Sequence, residues 1–309
     1  MSSKNLVLDH TVFSSLDDLN FEPQLNFVFA IDKNYLKPCG ILIFSILKNN
    51  PTIKFDFHIF TNFFDDFGFN ELLKSYPNFR LHVYKINTSY FDELQTTGHF
   101  TTAIYYRLSI AEILKNKVDT YLYLDSDILC FSKVDDLINI NLENHILAAV
   151  EDIHIRKDYI ENLGLPKNTQ YFNSGVLFIN TKKWLESNIL EKFKEKINLR
   201  DYKYPDQDVL NILLLDKVLL INEKFNYFNE GDIKPIFKHF VSTPKPWSIC
   251  VSNNDDYLEY YYQSPWKNLP LDAPRNGKEA KKFAIKLFHL KKYAESLKWF
   301  IVYLKEKFN

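Results

Sequence analysis

Glycine is scarce in this chain, seven residues in 309, and neither a G-x-G-x-x-G turn nor a Walker-type loop occurs. A phosphate cradle built on a glycine-rich turn is therefore excluded. Any phosphate has to be met by another device, for which a metal ion is the natural candidate. Cysteine is limited to Cys39, Cys130 and Cys250, widely spaced and odd in number. That pattern excludes a cysteine metal centre and a disulfide framework, and it favours a reducing compartment. No apolar run approaches the roughly 18 residues of a membrane span. The segment 1–20 carries one lysine, several aspartates and no long apolar stretch, so no signal peptide is expected and a cytoplasmic location is.

Apolar and aromatic residues are abundant, at 46% and 16%, enough for a large core. Charge is unevenly spread. From Arg275 to Asn309 there are nine lysines and one arginine against three glutamates, a balance of +7 that leaves −8 for the rest of a chain whose net charge is −1. The basic patch is confined to this tail and no recognition motif accompanies it, so nucleic acid is a poor candidate partner.

Along the chain, buried-strand patterns alternate with helical ones. Strands are expected at residues 26–31, 53–60, 79–86, 121–124, 146–150, 176–179 and 217–221. Helices are expected at 37–47, 67–74, 102–114, 183–197 (capped by Thr181) and 206–215. This order argues for an α/β fold: a single Rossmann-like domain on a mostly parallel sheet, with ligands beyond the carboxyl ends of its strands. Prolines 265, 270 and 274 mark a composition shift. The expected division is a leader (1–24), a catalytic domain (25–263) and a helical basic appendage (264–309).

The organising stretch is Tyr121-Leu122-Tyr123-Leu124-Asp125-Ser126-Asp127, an apolar strand ending in two carboxylates. Residues i and i+2 of a strand point to one side, so Asp125 and Asp127 can converge on one ligand. Two facing carboxylates require a proton or a cation between them, and hard divalent ions prefer oxygen ligands. The plain alternative is a strand closed by a polar turn. An aspartyl-phosphate phosphatase also places D-x-D after a strand, but it usually has Thr or Val where Leu129 stands here.

Four other clusters accompany it. In Ala30-Ile31-Asp32-Lys33-Asn34-Tyr35 the polar groups suit a base or ribose and the tyrosine could stack, although a helix cap accounts for the same residues. Asn173 in YFNSGV suits sugar hydroxyls, or is part of a turn. Asp206-Gln207-Asp208 offers three polar side chains where a cap needs one. His239 and Lys245, six apart, suit a metal ligand and a diphosphate counter-charge, though a lone histidine is more often structural.

Taken in order, the strand-DSD-strand centre, AIDKNY, YFNSGV, YPDQDVLN and HFVSTPKPW resemble glycosyltransferase family 8 over about residues 25–270. Within it, SPWKNLPL and the basic C-terminus look most like bacterial lipopolysaccharide core α-galactosyl- and α-glucosyltransferases. The resemblance implies a GT-A type of fold and a retaining transfer of galactose or glucose from UDP-galactose or UDP-glucose to a lipid-linked saccharide, with Mn²⁺ or Mg²⁺. It implies metal ligands Asp125, Asp127 and His239. A nucleotide site would use Ala30, Asp32, Asn34, Tyr35, Asp125, Ser126 and Lys245. Arg107, Asp152, Asn173, Asp206 and Gln207 would meet the donor sugar, with Gln207 and Asp152 closest to the chemistry. Ser242 departs from the glycine common in the family. An amide is a poor nucleophile, so front-face attack is expected, with Asp152 the alternative nucleophile. Protein or glucan acceptors, or UDP-sugar binding without turnover, are the rival readings. The tail, read as a basic amphipathic helix with aromatics, suits the cytoplasmic face of the inner membrane. Packing of that helix on the main domain is its alternative.

Overall fold

The computed structural model describes residues 6–14, 21–91, 103–229, 231 and 233–308. The chain divides into two compact units, Met1–His239 and Phe240–Asn309. The first is built on an eight-stranded sheet. Its order is β1 (Val7–Ser14), β4 (Phe79–Ile86), β3 (Phe55–Thr61), β2 (Leu25–Ile31), β5 (Thr120–Leu124), β8 (Val176–Asn180), β7 (Leu147–Ala149) and β9 (Val218–Leu220). β4, β3, β2 and β5 run parallel, as do β7 and β9. β1 and β8 run against their neighbours. The expected mostly parallel α/β sheet is present, with antiparallel insertions.

The central strands read as unbroken apolar runs because both faces are covered. On β2, Val28 joins a core containing Tyr105, Leu108, Tyr121, Trp184 and Phe193. Its neighbour Phe27 packs instead on Phe55, Phe57 and Phe237. Alternate residues thus serve opposite faces. The helices of this unit are α1 (Leu36–Asn49), α2 (Phe69–Ser75), α3 (Ala103–Leu114), α4 (Asp135–Ile138), α5 (Lys157–Asn162), α6 (Thr181–Glu186), α7 (Ile189–Ile197) and α8 (Pro205–Leu213). A short ribbon stands apart from the sheet: β6 (Ile128–Cys130) pairs antiparallel with β10 (Phe237–His239), setting His239 opposite Ile128.

The reading of residues 181–197 is corrected in two respects. The helix expected over 183–197 is two helices, broken at Asn188, whose φ is +52°. Asparagine tolerates that left-handed region. The cap is Asn180, whose side chain accepts from the Lys183 N–H at 3.0 Å, and Thr181 is already inside the helix. Within the leader, residues 7–14 form β1, an edge strand of the main sheet. Residues 1–5 and 15–20 lie outside the described residues.

The second unit holds α9 (Asp255–Gln263), α10 (Gly277–His289) and α11 (Tyr293–Phe308). The proline-rich shift falls between α9 and α10. The tail expected as one amphipathic helix is a hairpin of two. Lys291 turns the chain with φ +60°, and the Lys291 and Lys292 N–H groups close back on the Phe288 and Leu287 carbonyls, each at 2.9 Å. Gly277 lies against Glu306, so the two helices run antiparallel. No helix among the described residues is long and apolar enough to cross a membrane.

Candidate metal and donor site

Three segments distant in sequence meet beyond the C-terminal end of β5. The strand stops at Leu124, and Ser126 and Asp127 form a turn into β6. The two aspartates therefore converge through a turn and not, as expected, through the pleat of one strand. The β6–β10 ribbon carries His239 to the same point. One ligand atom from each of Asp125, Asp127 and His239 lies within 4.8 Å of the others.

Polar partners hold each group in place. Asp125 Oδ1 accepts from the Tyr123 hydroxyl at 2.7 Å and from Arg107 Nη2 at 3.0 Å. Removal from water and the neighbouring Asp127 charge push the Asp125 carboxyl above its ordinary range, against the pull of Arg107 and His239. Burial holds the Tyr123 hydroxyl well up, so it stays a donor. Arg107, on α3, lies over the Tyr123 ring at 4.5 Å. It also pairs with Asp206 at 2.9 Å and donates to the Ser174 carbonyl at 3.1 Å. One buried guanidinium thus ties the β5 end, the turn before β8 and the start of α8 together.

His239 Nε2 faces Asp127 Oδ1 at 3.1 Å, while Nδ1 faces Asn226 Oδ1 at 2.9 Å. The close approach depends on Gly175. A Cβ there would fall 2.4 Å from His239 Cε1 and 3.0 Å from Asp125 Oδ2. Two carboxylates and an imidazole closing on one point, in a cradle with no room for a methyl group, fit a divalent cation. A second triad, Asp56, His58 and His82, has comparable spacing. There Arg80 already holds both Asp56 oxygens, at 2.7 and 2.6 Å, whereas Arg107 meets only Oδ1 of Asp125. That triad is a structural ion pair.

Next to the cation cradle, Asp152 Oδ2 accepts from Asn173 Nδ2 at 3.3 Å and from Gln207 Nε2 at 3.2 Å, and its Oδ1 accepts from the His154 N–H at 3.2 Å. Gln207 Oε1 accepts from the Ser174 N–H at 3.0 Å. Asp206 accepts from the Ser174 hydroxyl at 3.0 Å. Pro205 occupies the first position of α8, where a missing N–H costs nothing. Asp208 faces away, accepting from the Tyr159 and Tyr171 hydroxyls at 2.6 and 2.5 Å and from the Tyr204 N–H at 2.9 Å. The run 206–208 thus divides: two side chains enter the site and the third secures the helix.

Asp125, Asp127, Asp152, Asn173, Asp206, Gln207, Arg107 and His239 therefore share one neighbourhood, with Ser126 buried in the turn between the two aspartates. Ala30 ends β2. The β2–β5 register pairs Phe27 with Leu122 and Val28 with Tyr123, the latter pair two residues before Ala30 and Asp125 in their respective segments. Asp32 accepts from the Asn34 N–H at 2.8 Å and caps the 3-10 turn Lys33–Tyr35, leaving the Asn34 side chain exposed. Lys245 belongs to the second unit, where its Nζ donates to the Phe240 carbonyl at 3.1 Å. Sequence reasoning gave no role to Tyr123, Ser174 or Asn226. For Asn226 the sequence carried no signal. For Gly175 the rarity of glycine was one.

Comparisons with known proteins point to one family. The model of glycosyl transferase family 8 matches residues 26–250, and that of the family 8 C-terminal region matches residues 254–307. The lipopolysaccharide 1,3-galactosyltransferase of Salmonella typhimurium is 32% identical over 92% of this chain and 91% of its own. The lipopolysaccharide glucosyltransferase WaaO of Escherichia coli matches with the same identity and coverage. Among solved structures, galactosyltransferase LgtC in complex with donor and acceptor sugar analogs superposes with a TM-score of 0.65 at 23% identity, over 78% of this chain and 96% of that one. That likeness shows a GT-A type of fold. On the family models and on relatives aligned over nearly its whole length, this chain belongs to glycosyltransferase family 8.

Proposed function

We propose that the protein is a retaining hexosyltransferase that moves galactose or glucose from a UDP-sugar onto the saccharide core of a lipopolysaccharide, with a divalent cation at Asp125, Asp127 and His239. The observation that carries the reading is the convergence of these three ligands in a cradle closed by Gly175. The names of the aligned relatives, lipopolysaccharide galactosyl- and glucosyltransferases, support the donor and acceptor classes. A set of two carboxylates and one imidazole favours Mn²⁺ over Mg²⁺, because magnesium prefers an all-oxygen shell.

When bound, the cation would neutralise charge as the diphosphate leaves, acting as a Lewis acid. The chain's own groups orient the rest. Asp32, Asn34, Tyr35 and the Ala30 backbone are assigned to the nucleoside, and Lys245 to the diphosphate. Arg107 holds Asp125 and Asp206 in place and offsets their charge. Asn173, Asp206 and Gln207 present hydrogen-bonding groups to the sugar. Asp152 accepts three hydrogen bonds and Gln207 is engaged at both ends of its amide. Neither is poised as a nucleophile. An acceptor hydroxyl entering on the face that UDP leaves is therefore favoured over a covalent intermediate.

The second unit is assigned to the membrane surface at the cytoplasmic face. A cavity of about 390 Å³ between α10 and α11 is lined by Ile285, Phe288, Tyr293, Leu297 and Phe300, all exposed, among exposed lysines such as Lys281, Lys291 and Lys298. Apolar rings rimmed by lysine suit an anionic leaflet.

The direct test is UDP release from a panel of UDP-sugars with Mn²⁺ and lipid-linked saccharide, protein or glucan acceptors. Release is expected from UDP-galactose or UDP-glucose with the lipid-linked acceptor. Asp127→Asn is expected to lower kcat by about 100-fold or more. Near-normal turnover of that variant in saturating Mn²⁺ contradicts the metal assignment, and binding of UDP without release from any donor leaves only a binding protein.

A further inference from the structure

We infer that Asn226 is a positioning residue: it fixes the proton of the His239 ring on Nδ1 and so presents Nε2 as the metal-facing atom. The inference rests on the metal reading above and adds to it a residue that contacts neither metal nor substrate.

The argument follows from which groups can donate. Gly175 N–H, a backbone donor that cannot turn round, meets Asn173 Oδ1 at 3.0 Å. The other end of that amide, Nδ2, therefore faces Asp152 Oδ2, an acceptor, at 3.3 Å. Asn173 Oδ1 also lies 2.8 Å from the Asn226 side chain, which has to donate there through Nδ2. Asn226 Oδ1 is then left facing His239 Nδ1 at 2.9 Å, and only an N–H on Nδ1 completes the contact. With that proton in place, the lone pair of a neutral ring is on Nε2, the nitrogen that points to Asp127. Asn226 and His239 are buried, so water does not substitute readily for the amide. The chain Asp152–Asn173–Asn226–His239 runs from the proposed sugar pocket to the metal cradle, with each link fixed by the one before. Histidine ligands generally depend on such a partner at the second nitrogen, and its loss typically costs 10- to 100-fold in metal affinity.

The test uses the full chain, with UDP present, and reads Mn²⁺ binding by electron paramagnetic resonance rather than turnover. Asn226→Ala should weaken Mn²⁺ binding by about 10-fold or more. Asn226→Asp keeps an acceptor for Nδ1–H and should stay within about threefold of the unaltered protein. Equal Mn²⁺ binding by Asn226→Ala and the unaltered chain, or equal weakening by both variants, overturns the inference. Asp127→Ala, run alongside, distinguishes the two levels: if it too binds Mn²⁺ normally, the metal reading itself fails. A measurement without substitution at Asn226 completes the test. In the Mg²⁺- and UDP-loaded protein, long-range ¹H–¹⁵N correlations of labelled histidine, assigned with His239→Gln, should show the Nδ1–H tautomer. The Nε2–H tautomer overturns the proposal.

Discussion

Gly175 shows how one absent side chain sets a site. It bonds to the β5 end through its carbonyl, which accepts from the Asp125 N–H at 2.8 Å, and its Cα leaves space for the His239 ring. An added methyl at 2.4 Å from Cε1 cannot be relieved by swinging a flexible chain end, because the ring is buried and held from Asn226. Overpacking of this kind costs about 1–3 kcal/mol. Gly175→Ala should lower stability by that amount and weaken Mn²⁺ binding at least about 10-fold, since the same shift displaces a ligand. A melting curve and a Mn²⁺ titration check the two effects. A variant that folds and binds Mn²⁺ normally contradicts the cradle argument.

At the scale of elements, the β3–β4 pair carries a layer of titratable rings away from the cation site. His58 stacks on His82 with ring centroids 4.6 Å apart, and its ring nitrogens meet Asn26 and the Tyr84 hydroxyl at 3.3 and 3.4 Å. Burial, with His82, His10 and Arg80 adding positive charge and Asp56 opposing them, pushes His58 down to about 3. Its folded value is below the ordinary 6.5, so it stays neutral in the native state while the unfolded chain takes up a proton. The stability it contributes is present above pH 6.5 and is lost as pH falls toward about 3. Below pH 6 the decline should approach about 1.4 kcal/mol per pH unit. His58→Gln should flatten that part of the profile whatever its effect at pH 7. Urea midpoints at pH 7 and 5.5 for both proteins measure it, and parallel slopes remove the assignment.

For the molecule as a whole, the sign of charge is sorted along the chain. The basic balance is confined to α10, α11 and the residues just before them. Some of those lysines are used internally: Lys282 donates to the Thr243 carbonyl at 3.2 Å and Lys286 to the Ile249 carbonyl at 2.9 Å. Others, among them Lys281, Lys291 and Lys298, are exposed in the same hairpin as Phe288 and Phe300, at 58% and 40% exposure. If this face meets lipid, Phe288→Asp with Phe300→Asp should cut flotation with anionic liposomes by about 10-fold or more. Two apolar contacts are lost and two like charges are set against the leaflet. Flotation equal to that of the unaltered chain contradicts the membrane assignment.

Pattern and composition determined much of this. The unbroken runs at 26–31 and 121–124 are strands because only a sheet covered on both faces buries such residues. With seven glycines and no glycine-rich turn, the chain has no phosphate loop, and a metal is the natural alternative. Ordered local motifs identified the family because each spans only a few residues of chain. The tertiary structure decided what depends on long-range register. The β6–β10 pairing places His239 opposite Ile128, although 110 residues separate them in the chain, and no local periodicity records that. Asn188 and Lys291 divide helices that helical spacing alone would run together, since a single left-handed residue leaves the apolar pattern on either side intact. Asn226 was invisible for the same reason: an asparagine in a loop has no period, and its role exists only where Asn173 and His239 close on it from either side.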